Sequence, residues 1–221
     1  MSDDQNRAAI RMVFEFVKPR FEAMVGGWVD DPEAALAEAS DRFDGMIPTL
    51  AYADNPAHPM APALFFTACN LAMYLPLRDR GVDVHAFGSA VLKNLADEPL
   101  PEVDPFADLD GFKAAGEESL DNARAGEFVF EVVTEGDGFD WGMNVKSCGV
   151  CHLFSKHDAM DLVPYMCATD DLFSAEAGDG LRRTGTIALG AHQCDFRYQP
   201  GGEPLPLAGQ YPQRIQIRPS A

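Results

Sequence analysis

Basic side chains are scarce in this sequence. Lys and Arg number 17 against 35 Asp and Glu residues, which gives a formal net charge of -18 at pH 7. A surface this acidic repels the phosphate backbone of nucleic acids, and the sequence contains no run of basic residues as a local exception. We therefore expect no nucleic-acid partner.

Long apolar runs and cysteines are also in short supply. The cleanest uncharged stretch, 61–77, is shorter than the roughly 20 residues that a membrane span needs, so it predicts a buried helix and no membrane partner. The acidic start, Met1-Ser2-Asp3-Asp4, lacks the basic and then apolar pattern of a secretory signal. Five cysteines are too few for a disulfide scaffold in a chain of 221 residues, so we expect a cytoplasmic protein with reduced thiols.

The first half of the chain carries helical patterns. Apolar residues recur at steps of three and four between Ile10 and Val25, which is typical of one face of a helix. Pro19 lies inside this pattern and is expected to kink or interrupt the helix. Further helices are predicted at about 31–43, 63–80, 84–96 and 112–123. The segment 98–110 is rich in Pro and Asp, so it predicts a surface connection.

The second half mixes strands with helices. Strands are predicted at 128–133 and 141–145, helices at about 149–156 and 158–173, and strands again at 181–189 and 194–199. This order predicts an α+β fold, in which a helical N-terminal half packs on an antiparallel sheet built from two C-terminal hairpins with helices between them. We expect a single domain over 1–221, made of a helical part (1–125), a motif-bearing α+β part (126–200) and a C-terminal tail (201–221).

Four of the five cysteines lie after residue 147. Cys148-Gly149-Val150-Cys151-His152 has the C-x-x-C-H spacing of c-type haem attachment, but such proteins are usually exported, so we predict no haem. Zinc is an alternative, with four ligands drawn from Cys148, Cys151, His152, Cys167 and Cys194. A thioredoxin-like redox pair is less favoured, because no βαβ unit surrounds the motif.

The position of Cys148 suggests a reactive thiol. A helix that begins near Ser147 places Cys148 at its N-terminus, where backbone N–H groups and the helix dipole favour a thiolate. Cys151 and His152 follow three and four residues later on the same helix face, so His152 could accept the proton of Cys148. The alternative is a solvated histidine beside two packed thiols.

Two further groups carry polar chemistry. Cys167 and Asp170 are three residues apart on a predicted helix and can face one pocket, where Asp170 would act as a base or hold a substrate amine; the alternative is a carboxylate at a helix end. In the last hairpin, Cys194 and Asp195 point to opposite faces of a regular strand. Asp195 shares a face with Arg197 and is placed to pair with it.

These pieces occur together in the order and at the spacing of one known family. They are the Cys148/Cys151 pair after a strand, Tyr165-x-Cys167-x-x-Asp170, Arg183-Thr184-x-Thr186, Gly190 and Cys194-Asp195-Phe196. On them, residues 129–198 resemble the L-2-amino-thiazoline-4-carboxylic acid hydrolase family. The same region faintly resembles vinyl-reductase-type ligand-binding domains, which leaves a small-molecule binding or sensing module without catalysis as the alternative.

The first resemblance implies a hydrolase that opens a small cyclic amidine or thio-heterocycle, with N-carbamoyl-L-cysteine as the product of the named reaction. The implied catalytic residues are Cys148, Cys167, Asp170 and Cys194. His152 is not part of the family pattern and is added as a catalytic candidate because of its position beside Cys148. The implied substrate-binding residues are Cys151, Arg183, Thr184, Thr186 and Asp195, with Arg183 holding a substrate carboxylate. No cofactor is predicted, although a zinc-bound water is the competing mechanism. The sequence leaves the oligomeric state open.

Overall fold

A computed structural model describes residues 2–98, 108–134, 136 and 138–205 of the chain. Most of the predicted surface connection at 98–110 lies outside the described residues. The same holds for the predicted C-terminal tail from residue 206 onward.

Within residues 2–98 and 108–122, the structure contains five α-helices: α1 (Asp3–Val25), α2 (Pro32–Met46), α3 (Ala61–Asp79), α4 (Val84–Asp97) and α5 (Leu109–Asn122). Ser2 begins α1 with a capping box, in which its hydroxyl accepts the N–H of Gln5 and the Gln5 side chain accepts the N–H of Ser2. The helix continues through Pro19, so the predicted interruption is wrong. Pro19 is exposed, and water can bond the carbonyl that its missing N–H leaves unpaired.

The described part of the C-terminal half contains three strands and two α-helices: β1 (Val129–Val133), β2 (Trp141–Ser147), α6 (Gly149–Ser155), α7 (Val163–Ala177) and β3 (Cys194–Tyr198). The strands form one antiparallel sheet in the order β1-β2-β3, with Met143 of β2 paired to Val132 on one side and Phe196 on the other. The prediction of an α+β fold with an antiparallel sheet is confirmed, and so is its first hairpin.

The second predicted hairpin is wrong in its first strand. Residues 181–189 contain two isolated bridges, from Arg182 to Arg197 and to Leu205, and a short 3-10 helix, Ile187–Leu189. The loop amides bond side chains in place of strand carbonyls: the Asp195 carboxylate accepts the N–H groups of Thr184 (2.8 Å) and Gly185 (3.0 Å). Strand β3 therefore pairs with β2, and the preceding segment is held as a loop.

The core is continuous from the helices to the sheet. Helix α3 is buried on nearly all sides, as its uncharged sequence predicts, and its Thr67 and Asn70 side chains bond carbonyls of their own helix. Helix α5 covers β1, where the rings of Phe112 and Phe130 lie 5.0 Å apart. Among the described residues, no helix combines the length and the apolar character needed to cross a membrane.

Helices α4 and α7 approach closely through one glycine. A Cβ atom on Gly88 would lie 2.3 Å from the ring of Tyr165, which is fully buried and bonds the Nδ1 atom of His85. This contact fixes the helix that supplies Cys167 and Asp170.

We predict that Gly88→Ala lowers the free energy of unfolding by roughly 1–3 kcal/mol, because the added methyl group overlaps the Tyr165 ring. Gly45→Ala is the matched control: Gly45 is an exposed glycine inside α2 with no atom within 4 Å of the new Cβ. It should raise stability by about 0.5–1 kcal/mol. Urea unfolding measures both changes, and an unaffected Gly88→Ala variant would contradict the close approach.

Candidate functional site

Cys148 begins α6, as predicted. It is the N-cap residue with φ -104° and ψ 115°, and its Sγ accepts the backbone N–H of Cys151 at 3.5 Å. A hydrogen bond from the Cys151 thiol and the backbone amides of residues 151 and 150 lower the pKa of Cys148 against the opposing effect of burial. The same contact, together with burial, raises the pKa of Cys151. The pair therefore favours a thiolate on Cys148 and a protonated thiol on Cys151.

His152 lies on the same short helix but packs elsewhere. Its ring contacts Gly126, where an added Cβ would lie 2.9 Å from the ring carbon Cδ2. Its Nε2 atom is buried with no hydrogen-bond partner among the described residues. None of the main causes of the thiol pKa shifts involves His152. The geometry therefore places its ring against the loop before β1.

Cys167 and Asp170 lie one turn apart on α7. Burial, with the charge of Asp170 next, raises the pKa of Cys167 well above its usual range. Burial also raises the pKa of Asp170 to about 6, although 40% of its side-chain surface is accessible. Both values fit a carboxyl group that has protein atoms on most sides and solvent on one. Cys148, Cys151 and Cys167 are likewise only half-buried.

Arg183 joins α7 to the loop before β3. Its side chain has no exposed surface, and its guanidinium bonds Asp170 at 2.8 Å, Asp171 at 2.6 Å and the carbonyl of Cys167 at 2.9 Å. The guanidinium carbon also lies 5.0 Å from the ring centre of Phe196. These contacts place Arg183 beneath Asp170, whereas the sequence assigned it to a substrate carboxylate.

The loop residues have mainly structural contacts. Asp195 accepts hydrogen bonds from Thr184 and Gly185, and not from Arg197, whose guanidinium bonds the Asn144 side chain at 2.8 Å. Thr184 is exposed. Thr186 is fully buried, and its hydroxyl has no hydrogen-bond partner among the described residues.

Cys194 lies on the inner face of β3. It is buried, and its Sγ accepts the N–H of Ile187 at 3.3 Å. Burial is the main cause that raises the pKa of Cys194 to about 12. The charges of Cys148 and Asp170 raise it further, so this thiol faces the same site.

The thiols and Asp170 influence one another electrostatically. The pKa of Cys151 responds to Cys148, Cys167 and Cys194, and the pKa of Cys167 responds to Asp170, Cys148 and Cys194. Two helices and one strand therefore bring four cysteines and one carboxylate within electrostatic range of one another, and we call the region around them the recess. Such a grouping supports nucleophilic and acid–base chemistry.

Sequence reasoning missed Asp171. Its side chain is 3% exposed and bonds Arg183. The sequence offers one signal, the pair of adjacent carboxylates. Their side chains point about 100° apart, so a helix that is packed on several sides turns one of them toward the protein core. A buried carboxylate needs a cation nearby, and Arg183 is that cation.

Comparison with known protein families finds a match over the C-terminal part of the chain. A sequence model described as L-2-amino-thiazoline-4-carboxylic acid hydrolase matches residues 85–198, slightly more than half of the chain. The chain belongs to this family. The match begins at the start of α4, so the family region includes α4 and α5 as well as the cysteine-bearing elements. Membership supports a hydrolase-like function in general. No curated protein and no solved structure matches the chain significantly.

The cysteines of the site are potential metal ligands. Among the described residues, no three His, Cys, Asp or Glu side chains are grouped so that they could hold one metal ion. The Sγ atoms of Cys148 and Cys194 each accept a backbone N–H, from Cys151 and Ile187 respectively.

We predict that Asp171→Asn lowers the pKa of Asp170 below its value of about 6. Burial is the main cause of that raised pKa, but the negative charge of Asp171 adds to it and Arg183 opposes it. Without the charge of Asp171, the guanidinium acts on one carboxylate in place of two. The carboxyl resonance of Asp170, followed by NMR across a pH series in protein with isotope-labelled Asp, measures the change directly.

Three variants make this titration decisive. Asp170→Asn assigns the resonance, and a melting temperature for each variant shows that it folds. Glu176→Gln removes an exposed negative charge from the same helix, α7, and should leave the pKa of Asp170 near 6. An unchanged or raised pKa in Asp171→Asn would contradict the shared guanidinium.

Proposed function

We propose that this protein hydrolyses a small cyclic amidine or thio-heterocycle similar to L-2-amino-thiazoline-4-carboxylate, with Cys148 as the nucleophile. One observation supports this most strongly: a half-buried thiol of lowered pKa lies at the same recess as a carboxyl of raised pKa. The first group is suited to attack carbon and the second to give a proton. Family membership supports the hydrolytic outcome.

The first step forms a covalent intermediate. The Cys148 thiolate attacks the ring carbon between sulfur and nitrogen, and Asp170 gives its proton to the ring nitrogen as the tetrahedral centre forms. The bond from that carbon to the ring sulfur then breaks, and the sulfur leaves as a thiol after taking a proton. The Cys151 thiol, which is hydrogen-bonded to Cys148, is placed to supply it.

The second step uses water. Water adds to the carbon now attached to Cys148, and Asp170, ionised after the first step, accepts a proton from it. The bond to Cys148 breaks as the carbonyl forms, and the second proton of the water returns to Cys151. This releases the product and restores the Cys148 thiolate. For the aminothiazoline carboxylate, the sum is one water consumed and N-carbamoyl-L-cysteine formed, so each turnover frees one thiol.

The charges of the site favour a cationic ring. The Asp171 carboxylate balances the guanidinium of Arg183, so the Cys148 thiolate gives the recess a net negative charge while Asp170 holds its proton. The proton that Asp170 gives makes the amidine cationic, which the negative charge stabilises and which makes its carbon more electrophilic. Arg183 is proposed as a positioning residue for Asp170, because its side chain has no exposed surface.

Replacing Cys148 by Ser should reduce turnover by roughly three orders of magnitude or more, because a hydroxyl does not ionise where a thiol does. Thiol release from L-2-amino-thiazoline-4-carboxylate and related rings measures this. Cys69→Ala is the matched control: Cys69 is fully buried in α3, and burial raises its pKa above that of any reactive thiol. It should retain activity.

Two outcomes would contradict the proposal. A ligand that raises the melting temperature of the unmodified protein while no thiol appears would favour a binding or sensing module. About one zinc per chain, lost in Cys194→Ser together with activity, would move the mechanism to a metal-bound water.

The pH dependence of kcat/KM should report both groups. Activity should fall as pH rises through about 6, since Asp170 then loses the proton that it must give. It should also fall at low pH, where Cys148 becomes protonated. Asp170→Asn should remove the high-pH decline and leave the low-pH one, and a decline that persists in this variant would assign the acid to another residue.

A further inference from the structure

Two of the four thiols at the recess lie on the first turn of α6. The Sγ of Cys148 lies 3.5 Å from the backbone nitrogen of Cys151, and the Cys151 thiol lowers the pKa of Cys148, so the two side chains are neighbours. Both residues are half-buried, so a small solute can reach them. The proposed hydrolysis uses Cys148 as nucleophile and does not require that the two sulfurs ever bond.

The backbone at this point suits a disulfide. Positions three apart on a helix have Cβ atoms about 5–6 Å apart, whereas a disulfide needs about 3.5–4.5 Å. Cys148 is the N-cap residue with extended dihedrals, so its side chain turns back over the first helical turn. Side-chain rotation with a small backbone shift is therefore enough to join the two sulfurs.

The other thiols are less suited to the bond. Cys69 is fully buried in α3. The Sγ of Cys194 is held by the N–H of Ile187, and Cys167 lies on a separate helix whose position is fixed by Arg183. Burial raises the pKa of all three, whereas the pKa of Cys148 is lowered. Oxidation should therefore begin at Cys148.

We propose that Cys148 and Cys151 are an oxidative modification site, at which a hydroperoxide forms a reversible disulfide that switches the enzyme off. The inhibition rests on the proposed function, since it follows from loss of the nucleophile. Formation of the bond does not, because it depends only on the two thiols and the oxidant.

The chemistry balances with a hydroperoxide as oxidant. The Cys148 thiolate attacks one peroxide oxygen, a sulfur–oxygen bond forms, the oxygen–oxygen bond breaks, and the other oxygen leaves as an alcohol or water after taking a proton. Cys148 is then a sulfenic acid. The sulfur of Cys151 attacks it, the sulfur–oxygen bond breaks, and hydroxide leaves with the thiol proton as water. Two thiols lose two electrons and one peroxide gains them.

One tryptic peptide reports the result. Cleavage after Lys146 and Lys156 releases residues 147–156, which contain both Cys148 and Cys151. The reduced full-length protein is treated with hydrogen peroxide, and the remaining thiols are then alkylated in denaturant. We expect this peptide to lose two hydrogens and resist alkylation, while Cys69, Cys167 and Cys194 are alkylated. Thiol release should fall in proportion to the modified fraction, and dithiothreitol should restore it.

Variants separate the steps. Cys151→Ser should give no disulfide, and its oxidised Cys148 should be captured by dimedone as a sulfenic acid. Cys167→Ser should still form the disulfide. A bond from Cys148 to Cys167 or Cys194, a bond between two chains, or oxidation of Cys194 before Cys148 would overturn the assignment.

The result also separates this inference from the proposed function. If the disulfide forms in a protein that hydrolyses none of the tested rings, the proposed function fails. The mapped disulfide then still supports the modification site. If Cys148→Ser abolishes turnover but peroxide forms no bond, the inference alone fails. A disulfide that leaves turnover unchanged would overturn the switch.

Discussion

The architecture of the site depends on one buried guanidinium. An unpaired charge removed from water costs on the order of several kcal/mol, so the fully buried side chain of Arg183 requires carboxylates around it. Adjacent residues of α7, Asp170 and Asp171, supply them, and Phe196 of β3 covers the guanidinium face. A further bond to the carbonyl of Cys167 ties the same group to the turn that carries a thiol. Helix, loop and sheet are therefore held at the recess by one ion network.

Adjacent carboxylates divide two tasks. Successive side chains on a helix point about 100° apart, so Asp171 faces inward at 3% exposure while Asp170 faces the recess at 40%. The inner carboxylate pairs with the cation and leaves the outer one with a weaker share of it. Burial, together with this weaker pairing, keeps the pKa of Asp170 at about 6. A carboxyl group with that pKa can give and take a proton near neutral pH. Structural pairing and acid–base chemistry thus arise from neighbouring positions.

Local patterns predicted most of the fold, and long-range contacts account for the errors. Helix periodicity, the first hairpin and the start of α6 at Cys148 depend on neighbouring residues, and the structure confirms them. The strand predicted at 181–189 is wrong, because amides of this segment bond the side chain of Asp195. No local pattern in the sequence reveals that contact. The burial of Arg183 depends on carboxylates more than ten residues away along the chain. His152 shares a helix with the thiols, but its ring packs on Gly126, which only the fold brings there.

The position of Cys148 follows an ordinary rule of helix capping. Ser2 begins α1 by accepting the amide of the third helical residue at 3.3 Å, and Cys148 does the same for α6 at 3.5 Å. A sulfur accepts such a bond less strongly than a hydroxyl, so cysteine is a poorer cap than serine for this backbone. The helix needs an acceptor at this place but not a thiol. The geometry therefore belongs to the fold, whereas the thiol adds the proposed nucleophile and the proposed site of oxidation. A serine in its place would keep the helix and lose both.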